Sequence, residues 1–289
     1  MDKGNQGHTS ALYVWNGISM FWGTSFHTDP HLHNTLQLVF DIDKSFKLKD
    51  AKSDWTTYTS AIINDSHLHQ LDSRGSIQLF IYIDKDSRLA KALVAKYLSD
   101  CHMADLLGTG IKKLGRDFFK KLLVKNGCRE LFKGCQIILN HLIGIEPQPP
   151  IDNRVQMAID FIVEKPVRQF KVGAIADHVC LSESRLRHLF KKQVGQPIQN
   201  FILWMKVVDS LNLVLKGKEL ADVVIETGFW DGSHMNKSYK GLLGITPGSI
   251  KEYEKEFKII ACAGMNLQAL STKIWDKWED NEPKEIIEI

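Results

Sequence analysis

One helical unit occurs twice in this chain, and that duplication confines the C-terminal half to a narrow set of folds. The first copy runs from Val172 to Val179, then Cys180-Leu181, then Ser182 to Gln193. The second runs from Leu220 to Thr227, then Gly228-Phe229-Trp230, then Asp231 to Leu243. Each reads as a short helix, a tight turn and a second helix. Ser182 and Asp231 suit the N-cap, because their side-chain oxygens accept from the free amides of a first helical turn. Apolar residues then recur at helical spacing: Leu186, Leu189 and Phe190 in the first copy, Met235, Tyr239 and Leu242 in the second. Gly228 suits the positive φ of such a turn, and Ala176 is small enough to let two helices cross closely. This is a helix-turn-helix pattern, whose second helix is shaped for a DNA major groove.

Between the copies, Phe201, Ile202, Met205, Val208, Leu211 and Val214 follow a helical period over Ile198 to Lys216. The apolar face is broad. A helix of that length spans about 28 Å at 1.5 Å per residue, comparable with the roughly 34 Å between successive major-groove faces on one side of DNA. Such a rod would seat both second helices on adjacent turns of one duplex.

Upstream the texture changes. Leu36, Leu38 and Phe40, and later Ile77, Leu79, Ile81 and Ile83, alternate with their neighbours between Ala11 and Asp84. Short β-rich runs broken by Gly, Asn, Asp and Ser read as strands of a sandwich or barrel. From Ser87 to Leu142 the period turns helical, with helices around Leu89–Tyr97, Leu106–Leu122 and Leu131–Leu142. The stretch GIEPQPPIDN, Gly144 to Asn153, cannot continue a helix and reads as a linker. The expected class is α+β. Residues 1–86 form a β-rich domain, 87–143 a helical segment of it, 144–153 the linker, 154–257 the tandem helical domain and 258–289 an extension. That extension contains Ile274, Trp275 and Trp278 and ends in EDNEPKEIIEI, which reads as a loosely docked or disordered end.

A net charge of +3 over 289 residues is too small to name a partner, so the placement of charge matters more than its sum. No apolar run approaches 18 residues, and Met1 to Ser10 has no apolar core beside basic residues; neither a membrane span nor a secretory signal is expected. The five cysteines (Cys101, Cys128, Cys135, Cys180, Cys262) are scattered and make no CxxC pair. That argues against a disulfide framework or a zinc ribbon and for a reducing, cytoplasmic setting. No catalytic triad or phosphate-cradling glycine loop stands out, so an enzyme is not expected.

Residues 155–252 resemble the DNA-binding domain of AraC/XylS-type transcription regulators. The likeness lies in Ile175-Ala176, Leu181-Ser182, Leu186-Arg187, Leu189-Phe190-Lys191 and Gly195. It continues in Gly228-Phe229, Asp231, Ser233, Lys237, Tyr239-Lys240, Gly244 and Thr246-Pro247. Cys180 stands where the family usually has Gly, Val224 where it has Ala, Lys206-Val207 where it has Arg-Leu, and Ser210 where it has Ala. Met235 replaces Phe, Lys237 replaces Arg, and Gly241-Leu242 replaces a polar pair, so the second unit is the weaker match. The resemblance implies double-stranded DNA as partner. In the first recognition helix Arg187 is suited to guanine and His188 to a purine acceptor. Ser184 is short enough for base or phosphate, while Arg185, Lys191 and Lys192 complete a basic cluster, the two lysines suited to phosphate. In the second, Ser233, His234 and Lys237 occupy the reading positions and Gly232 offers backbone alone. The bland alternative for each basic residue is a solvated helix face.

The segment Pro30-His31-Leu32-His33-Asn34-Thr35-Leu36-Gln37, with His67-Leu68-His69 later, resembles the cupin-like sensing domain that precedes this DNA-binding domain in many such regulators. In cupin enzymes an HxH pair, a carboxylate and a later His hold a divalent metal. Here Gln37 takes the carboxylate's place. Three readings are open: histidines that pack or hydrogen-bond at a barrel mouth; a ligand pocket of His31, His33, Gln37 and His69 with Trp22 and Tyr58, or with Trp15 or Trp55; and a metal site of His31, His33 and His69. No resident cofactor or metal is assigned on the sequence. Helices following such a domain often pair two subunits. The stripe Leu107, Ile111, Leu114, Phe118, Leu122 would serve a homodimer, or equally pack on its own barrel. The expectation is a sequence-specific transcription regulator, with a small-molecule effector, a homodimeric state and contact with RNA polymerase implied by the resemblance. The rivals are a cupin metalloenzyme with a DNA-binding tail and an interaction protein that does not touch DNA.

Overall fold

The computed structural model describes residues 10–24, 27–51, 53–122, 127–144, 152–164, 171–243, 245–253 and 258–266. Most of the linker, Gly244, and Ile274, Trp275 and Trp278 lie outside them. The N-terminal half is built on β1 (Ala11–Asn16), β2 (Ile18–Thr24), β3 (Thr35–Asp41), β4 (Phe46–Asp50), β5 (Thr56–Tyr58), β6 (Ser60–Ile63), β7 (His69–Asp72), β8 (Ile77–Asp84) and β9 (Met103–Asp105). Strands β4, β5 and β7 form a small sheet in the order β5-β4-β7. The larger sheet runs β1-β2-β8-β3-β6-β9 and gains a final edge strand, β10 (Lys258–Asn266), beside β1.

Alternation explains the two faces of the large sheet. Leu36, Leu38 and Phe40 of β3, with Leu79, Ile81 and Ile83 of β8, enter one core shared with α1 (Arg88–Tyr97), α2 (Ile111–Leu122) and α3 (Cys128–Ile143). Val39 and Phe80 point the other way and meet Phe46, Leu48 and Leu71 of the small sheet. Both faces of β3 are therefore covered, and all seven of its residues are buried. In α2, Ile111 and Phe118 are buried in the sheet core and Leu114 packs against it. The stripe thus serves its own domain, while Leu107 is exposed; the side chain of Leu122 lies outside the described residues.

The C-terminal half contains α4 (Asn153–Glu164), then the first unit α5 (Val172–His178) and α6 (Glu183–Val194). The rod α7 (Ile198–Leu215) follows, then the second unit α8 (Leu220–Thr227) and α9 (Gly232–Leu243), and finally α10 (Ile250–Tyr253). The helix ends expected for the two units and the rod hold within a residue or two. Phe201, Ile202 and Met205 of α7 enter the first unit's core. Trp204, Val207, Val208, Leu211 and Val214 enter the second unit's core, which also takes in Val14 of β1 and Ile259 of β10. The broad apolar face has this cause: α7 packs on both units and on the edge of the N-terminal sheet. By length and apolar content alone α7 would suit a bilayer, but 56% of it is buried inside the protein.

Two expectations need correction. The start of the extension is not loose, because β10 pairs in parallel with β1, Ala11 opposite Lys258 through Val14 opposite Ala261. The cysteines are not all free, because Cys128 at the start of α3 is joined to Cys262 in β10. Spacing could not reveal this pair, since 134 positions separate the two and only the return of β10 to the sheet brings them together. Cys101, Cys135 and Cys180 are free. Thiol titration of the denatured, unreduced chain is expected to find three sulfhydryls rather than five, and reduction is expected to lower unfolding stability by roughly 2–4 kcal/mol in urea titration.

Candidate nucleic-acid interface and imidazole cluster

The first recognition helix, α6, begins where the Ser182 hydroxyl accepts from the Arg185 amide, 3.3 Å away. It ends at Gly195, in the left-handed region at φ 92°. A side chain at Gly195 would also collide with the Arg88 backbone nitrogen and side chain, so glycine is required there twice over. Leu186, Leu189, Phe190 and Val194 are buried. That leaves Ser184, Arg185, His188, Lys191 and Lys192 exposed and Arg187 half-buried. The Arg187 guanidinium lies 3.5 Å from the Glu183 carboxylate one turn earlier. The pair is solvent-accessible and weak, so it holds Arg187 extended along the helix without locking it away.

The second recognition helix, α9, begins where Asp231 Oδ1 accepts from the His234 amide at 2.7 Å. Met235, Ser238 and Tyr239 face inward, while Ser233, His234 and Lys237 are exposed. Two departures from the family pattern, Ser210 and Lys206, find hydrogen-bond partners of their own. Ser210, on α7, shares a 2.8 Å hydrogen bond with the Tyr239 hydroxyl and donates to the Val207 carbonyl at 2.9 Å. Its extra oxygen is therefore satisfied in the core. Lys206 donates to the Gly228 carbonyl at 2.6 Å and lies over the Phe229 ring, tying the second turn to the rod. Cys180 is a misfit: it sits at φ 54°, where the second unit has Gly228 at φ 69°.

Both recognition helices therefore turn their polar sides outward at the two ends of one rod, and every residue expected to meet DNA is at least partly accessible. What the sequence did not show is how the N-terminal domain grips this half. The Trp204 indole donates to the buried Asp84 carboxylate at 2.9 Å, and Arg88 donates to the Gln193 carbonyl near the end of α6 at 3.2 Å. Burial raises the Asp84 pKa. An isolated Asp and Trp, 120 positions apart, give no sequence signal for such a bond.

The expected pocket residues divide. His31, His33 and His69 come together with a nitrogen from each within 4.8 Å of the others. His31 and His33 precede β3 instead of lying on it, and His31 forms an isolated bridge with His69. His31 Nδ1 lies 2.8 Å from the Asp29 carbonyl and His69 Nδ1 2.8 Å from the His67 carbonyl. A carbonyl can only accept, so each Nδ1 donates to it, and in the neutral ring that leaves the lone pair on Nε2. The Nε2 atoms of His33 and His69 and Oε1 of Gln37 are buried with no hydrogen-bond partner among the described residues. Burial, then His31 and His69, pushes the His33 pKa down to about 3. Burial again lowers His69 to about 4, opposed in part by its bond to His67. Imidazoles held neutral with free lone pairs fit a divalent metal ion. Two bonds of 2.1 Å span at most about 4.2 Å, so the rings would close in slightly around one. Trp22 is not part of this group: it enters the opposite core and packs edge-on to Phe119. Trp15 is buried in that same core, Trp55 lies beside His27, and Tyr58 stacks on Phe46. Tyr82, which the sequence did not single out, is the aromatic against His33, with ring centres 5.1 Å apart.

A family profile described as a helix-turn-helix domain matches residues 175–253, and this part of the chain is a helix-turn-helix domain of the AraC type. The chain is 29% identical over 153 residues to the arabinose operon regulatory protein of Escherichia coli (strain K12), covering 52% of this chain and 51% of that protein. It is 24% identical over 156 residues to the HTH-type transcriptional regulator ArgR of Pseudomonas aeruginosa, covering 54% and 43%. The chain thus spans about half the length of these curated relatives. Among solved structures, fatty-acid-bound ToxT from Vibrio cholerae is 13% identical with a TM-score of 0.39, covering 89% of this chain and 98% of that one. The DNA-binding domain of AdpA, solved with target DNA, is 16% identical with a TM-score of 0.33, covering 35% and 93%.

Cys180→Gly relieves a left-handed non-glycine residue and is expected to stabilise the protein by about 1 kcal/mol in urea titration. For His69 the folded pKa lies below the unfolded 6.5, so the unfolded chain binds more protons between about pH 4 and 6.5 and stability is lost on acidification through that window. Asp209, raised to about 6 by burial, works in the opposite sense, so the comparison must be with a variant. His69→Gln is expected to shrink the stability lost between pH 7 and 5 by about 2 kcal/mol.

Proposed function

We propose that this protein is a sequence-specific DNA-binding transcription regulator whose two recognition helices enter successive major-groove faces of one duplex. One observation carries the reading: α6 and α9 lie at either end of a buried rod, each capped, each anchored by its apolar side and each turning a polar, partly basic side to solvent. An interaction protein that ignores DNA has no need of two such faces carried on one rod. In this reading Arg187 and His188 read bases, Ser184 reaches base or phosphate, and Arg185, Lys191 and Lys192 hold phosphate. Ser233, His234 and Lys237 place the second helix. Two copies of the chain on a repeated site, and contact with RNA polymerase, belong to the same reading.

The imidazole cluster is the sensing site in this proposal. Three imidazoles with ligand nitrogens within 4.8 Å of one another, two of them burying an unpartnered Nε2 among the described residues, favour a divalent transition-metal ion over a purely packing role. His31, His33 and His69 would hold the ion and Gln37 would offer a neutral oxygen. When bound, the ion supplies positive charge and fixed geometry in the pocket. It would bias the arrangement of the two halves only as far as its affinity differs between them.

Selection of bound sequences from random DNA is expected to return a defined site, with affinity falling steeply as salt rises; recovery of no consensus would end the regulatory reading. Arg187→Ala is expected to weaken the selected site by roughly 1–3 kcal/mol and to relax preference at one base pair. Titration with Co2+ is expected to give one visible-absorbing site per chain that His69→Ala abolishes. An unchanged spectrum in that variant would remove the cluster from the metal site.

A further inference from the structure

The two turns differ by one residue, and the extra residue is a tryptophan. In the first unit the cap Ser182 follows the left-handed Cys180 by two positions. In the second, the cap Asp231 follows the left-handed Gly228 by three. Phe229 is buried in the second unit's core, so it does the packing of that turn. Trp230 is the addition. It is 89% exposed, more than any other large apolar residue described. Tryptophan is on average among the well-buried residues, and neither the second unit's core nor the N-terminal sheet takes this one in.

Gly232 is the first residue of α9, yet a side chain there would meet nothing within 4 Å, and its backbone has no left-handed twist that would demand glycine. The protein's own packing therefore gives no reason for glycine at this point. A bare backbone next to an exposed indole leaves room for an external surface to come close to both. The N-terminal end of a recognition helix is the part that meets base edges. The apolar feature of a major groove is the C5-methyl group of thymine.

We propose that Trp230 is a specificity residue of the second unit, packing its indole on a thymine methyl group, with Gly232 allowing the close approach. The second helix then reads A·T pairs by shape and apolar contact more than by hydrogen bonds. This inference rests on the DNA-binding reading.

The test uses the full chain and the duplex it selects, with each thymine replaced in turn by deoxyuridine, which removes the methyl group alone. Wild-type protein is expected to lose roughly three- to tenfold affinity at one such position. Trp230→Ala is expected to bind the thymine and uracil duplexes equally, at about the wild-type affinity for uracil. Trp230→Phe is expected to restore part of the discrimination. Two results would overturn the inference while leaving the DNA reading standing: no thymine showing discrimination by the wild type, or Trp230→Ala retaining the full thymine preference. Failure of the wild-type chain to select any site would remove the DNA reading itself. Because Trp230 is exposed in a turn, its loss leaves the cores intact, and thermal unfolding at the wild-type temperature confirms that each variant is folded.

Discussion

Helix α7 is buried on nearly every side, and the remainder of the protein is arranged around that burial. Ten of its eighteen residues are buried, drawn from more than one face. Phe201, Ile202 and Met205 belong to the first unit's core and Val207, Val208, Leu211 and Val214 to the second's. At about 1.5–3 kcal/mol for each fully buried large apolar side chain, the rod cannot release either unit without exposing much of what stabilises it. The two recognition helices are therefore held at a set spacing by packing, not by a hinge. That is the physical basis for treating them as one reading head.

The same helix joins the halves of the chain. Val14 of β1 and Ile259 of β10 complete the second unit's core, and the Asp84–Trp204 bond sits at the corner where β8 leads into α1. Two residues back along β8, Tyr82 lies against His33 of the imidazole cluster. Four residues on from Asp84, Arg88 touches the chain at the end of α6. One strand thus runs from the proposed sensing site to the rod and, through the helix that follows it, to the first recognition helix. The contact at Gly195 is too close for any side chain. A shift at this corner would move the end of α6 with it, since close-packed interiors pass displacement on.

The imidazole cluster is a costly feature for a protein to keep. Buried polar atoms without partners normally carry a desolvation penalty, and here His33, His69 and Gln37 each present one. Their surroundings keep the rings neutral while backbone carbonyls orient two of them. Gln37, in place of a carboxylate, makes the donor set uncharged, so a divalent ion would retain its full charge in the pocket. That suits an ion held reversibly more than one held permanently.

Local chemistry made the C-terminal half legible. Caps at Ser182 and Asp231, apolar spacing in α6 and α9, and the rod at 198–216 follow from interactions within a few turns of chain, and the structure keeps them to within a residue or two. The strands at 35–41 and 77–84 were readable for the same reason, because alternation is a local property. What sequence could not show depends on residues far apart in the chain. The strand β10 that closes the sheet, the Cys128–Cys262 link, the Asp84–Trp204 bond, the use of the α2 stripe inside its own domain and the placement of Trp22 away from the histidines are all of this kind. The sequence by itself determined the helices of the C-terminal half, their capping and the strands at 35–41 and 77–84, because helical and strand periodicities are written into neighbouring residues. Only the tertiary structure decided which apolar face meets which, because burial is a property of the assembled surface and not of any single segment.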